Sequence, residues 1–115
     1  MPTFIAQGRF TGEAVRGMVQ TPEDRTEPVA RLFESLGAKL IGWYMTSGDY
    51  DWLLIVEAPN QDVVVSAAIA ATSGGGARDI KTFAAWSGRD SMAMFEKARG
   101  AATRFKSAGQ PAPSS

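Results

Sequence analysis

The 115-residue sequence contains no cysteine and no histidine. Without cysteine the chain cannot form disulfides, cysteine-ligated metal sites or thiol nucleophiles, and cysteine usage says nothing about its redox compartment. Without histidine it lacks the commonest general base and metal ligand. We therefore predict that the protein uses neither a metal nor a cofactor.

Long apolar runs and an excess of one charge are also missing. The twelve basic and twelve acidic residues cancel, so there is no electrostatic basis for binding nucleic acid or an anionic membrane. The chain has no apolar run of membrane-spanning length, and its first residues do not resemble a signal peptide. We expect a cytoplasmic protein with no nucleic-acid or membrane partner.

The length fits a single domain. The last residues, 107–115, contain no apolar side chain larger than alanine or proline, which is typical of a segment that cannot form a core. We predict one domain over residues 1–106 and a disordered tail over residues 107–115.

The most informative segment is Lys39 to Ala58, KLIGWYMTSGDYDWLLIVEA. Two apolar runs around Gly48-Asp49 predict a β-hairpin with a type II′ turn, because glycine accepts the positive φ of its first position. A two-residue loop fixes the strand register. The predicted pairs are Met45 with Trp52, Trp43 with Leu54 and Ile41 with Val56.

Both faces of this hairpin are apolar. The first face carries Ile41, Trp43, Met45, Trp52, Leu54 and Val56, and the second carries Leu40, Gly42, Tyr44, Leu53 and Ile55. A sheet of this kind is covered on both sides, and four to six large side chains left bare would forfeit roughly 1.5–3 kcal/mol each. We predict that a second copy of the chain covers one face, giving a homodimer, with assembly beyond the dimer left open.

The order of elements predicts the fold class. A strand over Thr3–Phe10 precedes a helix, the hairpin, a helix capped by Asn60, a strand over residues 78–87 and a helix over residues 90–105. Right-handed crossovers give an α+β, ferredoxin-like βαββαβ domain with a four-stranded antiparallel sheet, helices on one face and an extra C-terminal helix. Two open faces can stack into a dimeric α/β barrel with a shared pocket.

Local signals in the helices are mixed. A first turn of helix is predicted over Gly12 to Met18. Thr21 is a good N-cap for a second helix, in which Pro28 predicts a kink or a fresh start at Glu27. In the helix capped by Asn60, Ala67, Ala68 and Ala71 predict close packing on the sheet. The three glycines at 74–76 lack the residues of a phosphate-binding loop and predict a flexible connection.

The turn Gly48-Asp49-Tyr50-Asp51, after LGAKLIGWY and before VEAP, resembles the signature of the GYD domain family. The similarity extends from the first strand to about Trp86. The resemblance implies that the chain belongs to a branch of the dimeric α/β-barrel superfamily. Most members of the GYD family have no assigned activity.

Five residues are candidates for ligand binding: Arg9, Trp43, Tyr44, Tyr50 and Trp52. A guanidinium inside a sheet requires a partner, which is either an anionic ligand or an acidic residue such as Glu57. The aromatic side chains either stack on a ligand or pack in the core and the dimer interface.

Asp49 and Asp51 are the candidate catalytic bases. Their structural alternative is a role in the turn for Asp49 and a bond to a cation or an amide for Asp51. The favoured function is a non-catalytic dimeric module that binds a small apolar or aromatic molecule, or a partner protein, at the shared barrel interface. The alternative is a cofactor-independent isomerase, decarboxylase or oxygenase with an Asp base and Tyr44 or Arg9 at an oxyanion.

Overall fold

The computed structural model describes residues 1–113, so the last two residues of the predicted tail lie outside it. The elements in this part of the chain are β1 (Thr3–Phe10), α1 (Gly12–Gln20), α2 (Thr26–Ser35), β2 (Lys39–Met45), β3 (Trp52–Glu57), α3 (Gln61–Ser73), β4 (Ala77–Ala85) and α4 (Gly88–Ala102). None of the described helices is long and apolar enough to cross a bilayer.

The four strands form one antiparallel sheet in the order β2-β3-β1-β4. The first and third strands are therefore central, as the sequence predicts for a ferredoxin-like topology. This confirms the prediction of an α+β fold with a four-stranded antiparallel sheet.

One face of the sheet is buried beneath α2 and α3, and we call it the helix-covered face. The buried core consists of Phe4, Ala6, Phe33, Ala38, Trp52, Leu54, Val56, Ala58, Val64 and Ala67. Alternate strand residues point the other way, and we call that side the open face. It carries Thr3, Ile5, Gln7 and Arg9 of β1, Lys39, Gly42 and Tyr44 of β2, Leu53, Ile55 and Glu57 of β3, and Lys81, Phe83 and Ala85 of β4.

The helical segment after β1 is two separate helices. Thr21 ends α1, where its backbone N–H donates to the Gly17 carbonyl, so the prediction that Thr21 caps a new helix is wrong. The next helix begins at Thr26, one residue before the predicted fresh start. Pro28 is the third residue of α2, where a helix needs no backbone N–H donor, so it causes no kink there.

The hairpin register agrees with the prediction near the loop and departs from it near the base. Met45 pairs with Trp52 and Trp43 pairs with Leu54. A bulge between Leu40 and Gly42 makes Leu40, rather than Ile41, the partner of Val56. Leu40 therefore packs against the core, while Ile41 is 48% exposed.

Thr46 and Asp51 close the hairpin loop, so the turn between them contains four residues, 47–50, rather than two. The Thr46 N–H donates to the Asp51 carbonyl at 2.8 Å, and the Thr46 hydroxyl donates to the Tyr50 carbonyl at 2.7 Å. Positive φ values at described glycines occur at positions 37, 75 and 109. Gly48 thus lacks the conformation of the predicted type II′ turn.

Backbone contacts divide the chain into two units. Residues 1–85 hold the whole sheet with α1, α2 and α3, and the second unit begins at Trp86 and contains α4. The Ser87 hydroxyl caps α4 by accepting from the Asp90 N–H at 3.0 Å. The helix carries exposed apolar side chains, among them Met92 and Phe95.

Candidate functional site

A cavity of about 500 Å³ lies between the helix-covered face of the sheet and helices α1, α2 and α3. Phe10, Trp43 and Trp52 line it from the strands. The Phe10 and Trp43 rings lie with their centroids 6.2 Å apart and tilted by 38°, which is within the range of favourable aromatic pairs. The sheet thus gives the cavity an aromatic floor.

Small side chains on the helices leave the space open. Ala14 and Gly17 line the cavity from α1, which contributes no buried residue. On α3, Ala67 is buried, whereas Ala68 and Ala71 are not fully buried and line the cavity. The prediction that these alanines pack closely on the sheet is therefore wrong for Ala68 and Ala71.

Three charged residues also line the cavity, and their exposure places them at its opening. Glu13 and Glu23 are exposed and Arg25 is half-buried. Arg25 Nη1 lies 3.1 Å from Glu23 Oε1. Glu13 has no ion-pair partner among residues 1–113, so the opening carries one uncompensated negative charge.

The glycine loop after α3 is held at the edge of the cavity. The Thr11 hydroxyl donates to the Gly75 carbonyl at 2.7 Å, and the Thr11 N–H donates to the Gly76 carbonyl at 3.2 Å. Gly75 has a φ of 81°, a left-handed conformation that glycine adopts without strain. Two hydrogen bonds thus anchor a connection that the sequence predicts to be flexible.

Tyr50 of the hairpin loop lies beside cationic side chains of the open face. The Arg9 guanidinium is 4.9 Å from the Tyr50 ring centroid, and the Lys81 ammonium is 5.8 Å from it, both within cation–π range. A hydrogen bond to Tyr50, and then the charge of its phenolate, raise the pKa of Lys81 above its ordinary value. Arg9 Nε lies 3.7 Å from Asp79 Oδ2, so its acidic neighbour is Asp79 rather than Glu57.

Asp51 ties the hairpin loop to the end of β1. Its Oδ2 atom accepts from the Phe10 N–H at 2.9 Å, and its own N–H donates to the Gly8 carbonyl at 2.9 Å. Asp49 is exposed in the loop. The two candidate bases are thus a structural anchor and a loop residue, and neither lines the cavity.

The five candidate ligand-binding residues fall into two groups. Trp43 and Trp52 line the cavity on the helix-covered face. Arg9 and Tyr44 belong to the open face, and Tyr50 lies beside Arg9. The structure therefore does not bring these residues together in one site.

Sequence reasoning missed most of the cavity lining. Of the candidate site residues, Trp43 and Trp52 line it, and the lining residues that were not candidates include Glu13, Ala14, Gly17, Arg25, Ala68 and Ala71. The available signal was a set of small residues at helical spacing on two helices that cover the same sheet.

Comparison with known proteins identifies the family. The GYD domain model matches residues 4–95. A glutamine synthetase and cystathionine beta-lyase binding protein from Thermus thermophilus is 31% identical over 75 residues, which cover 65% of this chain and 79% of that protein.

Two solved structures show distant likenesses. The crystal structure of FFRP-DM1 is 15% identical, with 75% of this chain and 100% of that chain covered and a TM-score of 0.45. The crystal structure of TTHA0845 from Thermus thermophilus is 17% identical, with 76% and 95% covered and a TM-score of 0.41. From residue 4 onward the family model spans all four strands and the hairpin signature, and the chain belongs to the GYD domain family.

Proposed function

We propose that this GYD protein is a homodimeric module that binds partner proteins. The observation that carries the proposal is the apolar centre of the open face, on the side of the sheet away from the core. The sequence prediction of a second copy covering one face applies to this surface. The residues of the open face support it in two ways.

The first support is a contiguous apolar cluster. Ile5 pairs with Ile55 on one side and with Phe83 on the other, and Leu53 lies on the same face. Phe83 is 41% exposed, and the other three side chains are half-buried. Covering what remains exposed contributes roughly 1 kcal/mol per side chain.

The second support is that charges at both ends of the open face are balanced within the chain. Lys39 is the cross-strand partner of Glu57 at the Thr3 end of β1, and Arg9 Nε lies 3.7 Å from Asp79 Oδ2 toward the other end. Two such faces can therefore stack in a symmetric dimer without like charges at these positions opposing them.

The partner class comes from the Thermus relative. Its name states that it binds glutamine synthetase and cystathionine beta-lyase, and its identity to this chain is 31%. We propose the same class of partner here, namely metabolic enzymes bound by the dimer.

Light scattering coupled to size-exclusion chromatography tests the dimer. We expect the wild type to elute with twice the 12.3 kDa mass of one chain. Phe83→Glu places a charge in the apolar cluster and should give a monomer. Val65→Glu is the matched control, because Val65 is also 41% exposed but lies on α3. A monomeric wild type at micromolar concentration would refute the dimer.

Biolayer interferometry with immobilised glutamine synthetase or cystathionine beta-lyase tests the partner class. The wild type and Val65→Glu should bind, and Phe83→Glu should bind more weakly because the dimer is lost. Failure of the wild type to bind either enzyme refutes this partner class without bearing on the dimer.

The enzyme alternative and the shared-interface ligand site stay predictions. Asp51 accepts a backbone N–H and Asp49 lies exposed in a loop, so no observation favours either as a base. The cavity lies on the helix-covered face of one chain rather than at the open face.

A further inference from the structure

The cavity beneath the helices has the dimensions of a small-molecule site. Its volume of about 500 Å³ falls within the range of roughly 300–1,000 Å³ that ligand pockets occupy. Protein interiors are otherwise packed with few voids larger than a water molecule. A space of this size, lined by small residues on two helices and reached through an opening, can hold a small molecule.

The interior of the cavity favours an apolar occupant over water. Ordered water needs two to four polar partners, and most of the lining consists of alanine, glycine, aliphatic and aromatic residues. Within residues 1–113, no buried side-chain nitrogen or oxygen lacks a hydrogen-bond partner.

The floor and the opening select the shape and charge of the occupant. Phe10, Trp43 and Trp52 offer aromatic surfaces on which a planar ring stacks, and their faces also attract a cation. At the opening, Arg25 is paired with Glu23, which leaves the Glu13 carboxylate to meet a positive group. An anionic ligand would bring its charge to this carboxylate and is disfavoured.

We propose that the cavity binds a planar aromatic amine, with the ring on Phe10, Trp43 and Trp52 and the ammonium group at Glu13. This site lies within one chain, so it does not depend on the proposed dimer or on partner proteins. It also differs from the shared-interface pocket that the sequence predicts.

The test uses the three tryptophans as reporters. Trp43 and Trp52 line the cavity, whereas Trp86 does not. In 1H–15N spectra, 1-naphthylmethylamine should shift the indole N–H signals of Trp43 and Trp52 saturably below about 1 mM, the strength expected for a ligand of about a dozen heavy atoms. The Trp86 signal should stay in place. No shift, or equal shifts of all three signals, would overturn the proposal.

Matched probes test the charge preference. The neutral 1-naphthylmethanol should bind several-fold more weakly than the amine, and 1-naphthylacetate more weakly still. Glu13→Gln should lower the affinity for the amine to that for the alcohol and leave the alcohol unchanged. Binding of the acetate as tight as that of the amine would overturn the assignment of an amine.

Two substitutions on α3 test the location. Ala71→Leu fills the cavity and should weaken all binding at least tenfold, while Ser66→Leu adds similar bulk at an exposed, non-lining position and should have no effect. Circular dichroism reports whether each variant folds. If Ala71→Leu does not fold, Phe83→Glu tests whether the site lies within one chain. Phe83 is on the open face and does not line the cavity, so this variant should bind the amine like the wild type. Loss of binding in Phe83→Glu, or full binding in folded Ala71→Leu, would refute a site within one chain.

Discussion

Gly8 and Trp52 lie opposite each other in the β1–β3 ladder, and the Trp52 indole covers the Gly8 backbone. A Cβ placed on Gly8 would lie 2.3 Å from Trp52 Cζ2, which is closer than two non-bonded carbon atoms approach each other. The absent side chain lets the indole lie along the sheet, where it becomes part of the cavity floor. A glycine of the first strand thus sets the position of an aromatic residue in the third.

Gly8→Ala should therefore destabilise the protein. The added methyl group must displace a buried indole, and overpacking of this kind costs about 1–3 kcal/mol. Urea denaturation followed by circular dichroism measures the change in the free energy of unfolding. Gly17→Ala is the control, because nothing lies within 4 Å of its Cβ position and alanine favours a helix by up to about 1 kcal/mol. Equal midpoints for Gly8→Ala and the wild type would contradict the contact.

The anchor between Asp51 and Phe10 makes a second prediction. Asp51→Ala should lower the free energy of unfolding by about 1–3 kcal/mol, because the Phe10 N–H loses its acceptor in a part-buried position. Asp51→Asn should cost less, because its amide oxygen can still accept. The measurement is again urea denaturation. An Asn variant as unstable as the Ala variant would show that the negative charge, and not the acceptor, is required.

The elements that sequence reasoning located correctly are those with a strong apolar period. The strand Thr3–Phe10 follows from alternation. The pairs Met45 with Trp52 and Trp43 with Leu54 follow from the centre of the hairpin loop, which lies between Gly48 and Asp49 in both the predicted and the observed loop. The bulge does not follow, because Leu40 and Ile41 are both apolar and either can face the core. Packing against the helices decides between them, and a local pattern contains no information about that packing.

The cavity illustrates a second limit of prediction from the sequence. Ala68 and Ala71 are small and lie on the inner side of α3, which is equally compatible with a close contact and with a gap. The outcome depends on how far α1 and α2 stand from α3, and thus on the break between Gln20 and Thr26. Thr21 and the residues after it suit either the end or the start of a helix, so sequence reasoning misplaced that break.

The contact between Tyr50 and Lys81 predicts how Lys81 titrates at alkaline pH. Tyr50 raises the pKa of Lys81 above 10.5, so Tyr50→Phe should lower that pKa toward 10.5. The stabilisation from the raised pKa is present below 10.5 and is lost as the pH rises through the raised value. The wild type should therefore be more stable than Tyr50→Phe below that window, and the stabilities of the two proteins should converge above it. Titration of the lysine Cε signals by NMR measures the shift. Tyr44→Phe, on β2, is the control and should leave the Lys81 signal unchanged.

The start of α2 predicts an acid titration of opposite sign. Asp24 Oδ1 accepts from the Thr26 N–H at 2.9 Å, and this backbone bond, followed by a bond from the Thr26 side chain, lowers the pKa of Asp24 below 3.8. A lowered pKa stabilises the fold above 3.8, and the stabilisation is lost as the pH falls through the lowered value. Asp24→Asn keeps an acceptor for the Thr26 N–H but does not titrate, and Asp24→Ala removes both properties.

At pH 7 we expect the Tm to decrease from the wild type to Asp24→Asn and then to Asp24→Ala. As the pH falls below 3.8, the wild type should lose its advantage over Asp24→Asn, because its protonated carboxyl no longer offers a charged acceptor. Thermal unfolding followed by circular dichroism at several pH values measures this convergence. Because Asp24 is exposed and the ion is fully hydrated, the shift in Tm should also shrink with added salt. A wild type that keeps its lead over Asp24→Asn well below the lowered pKa would show that the charge on Asp24 does not stabilise the start of α2.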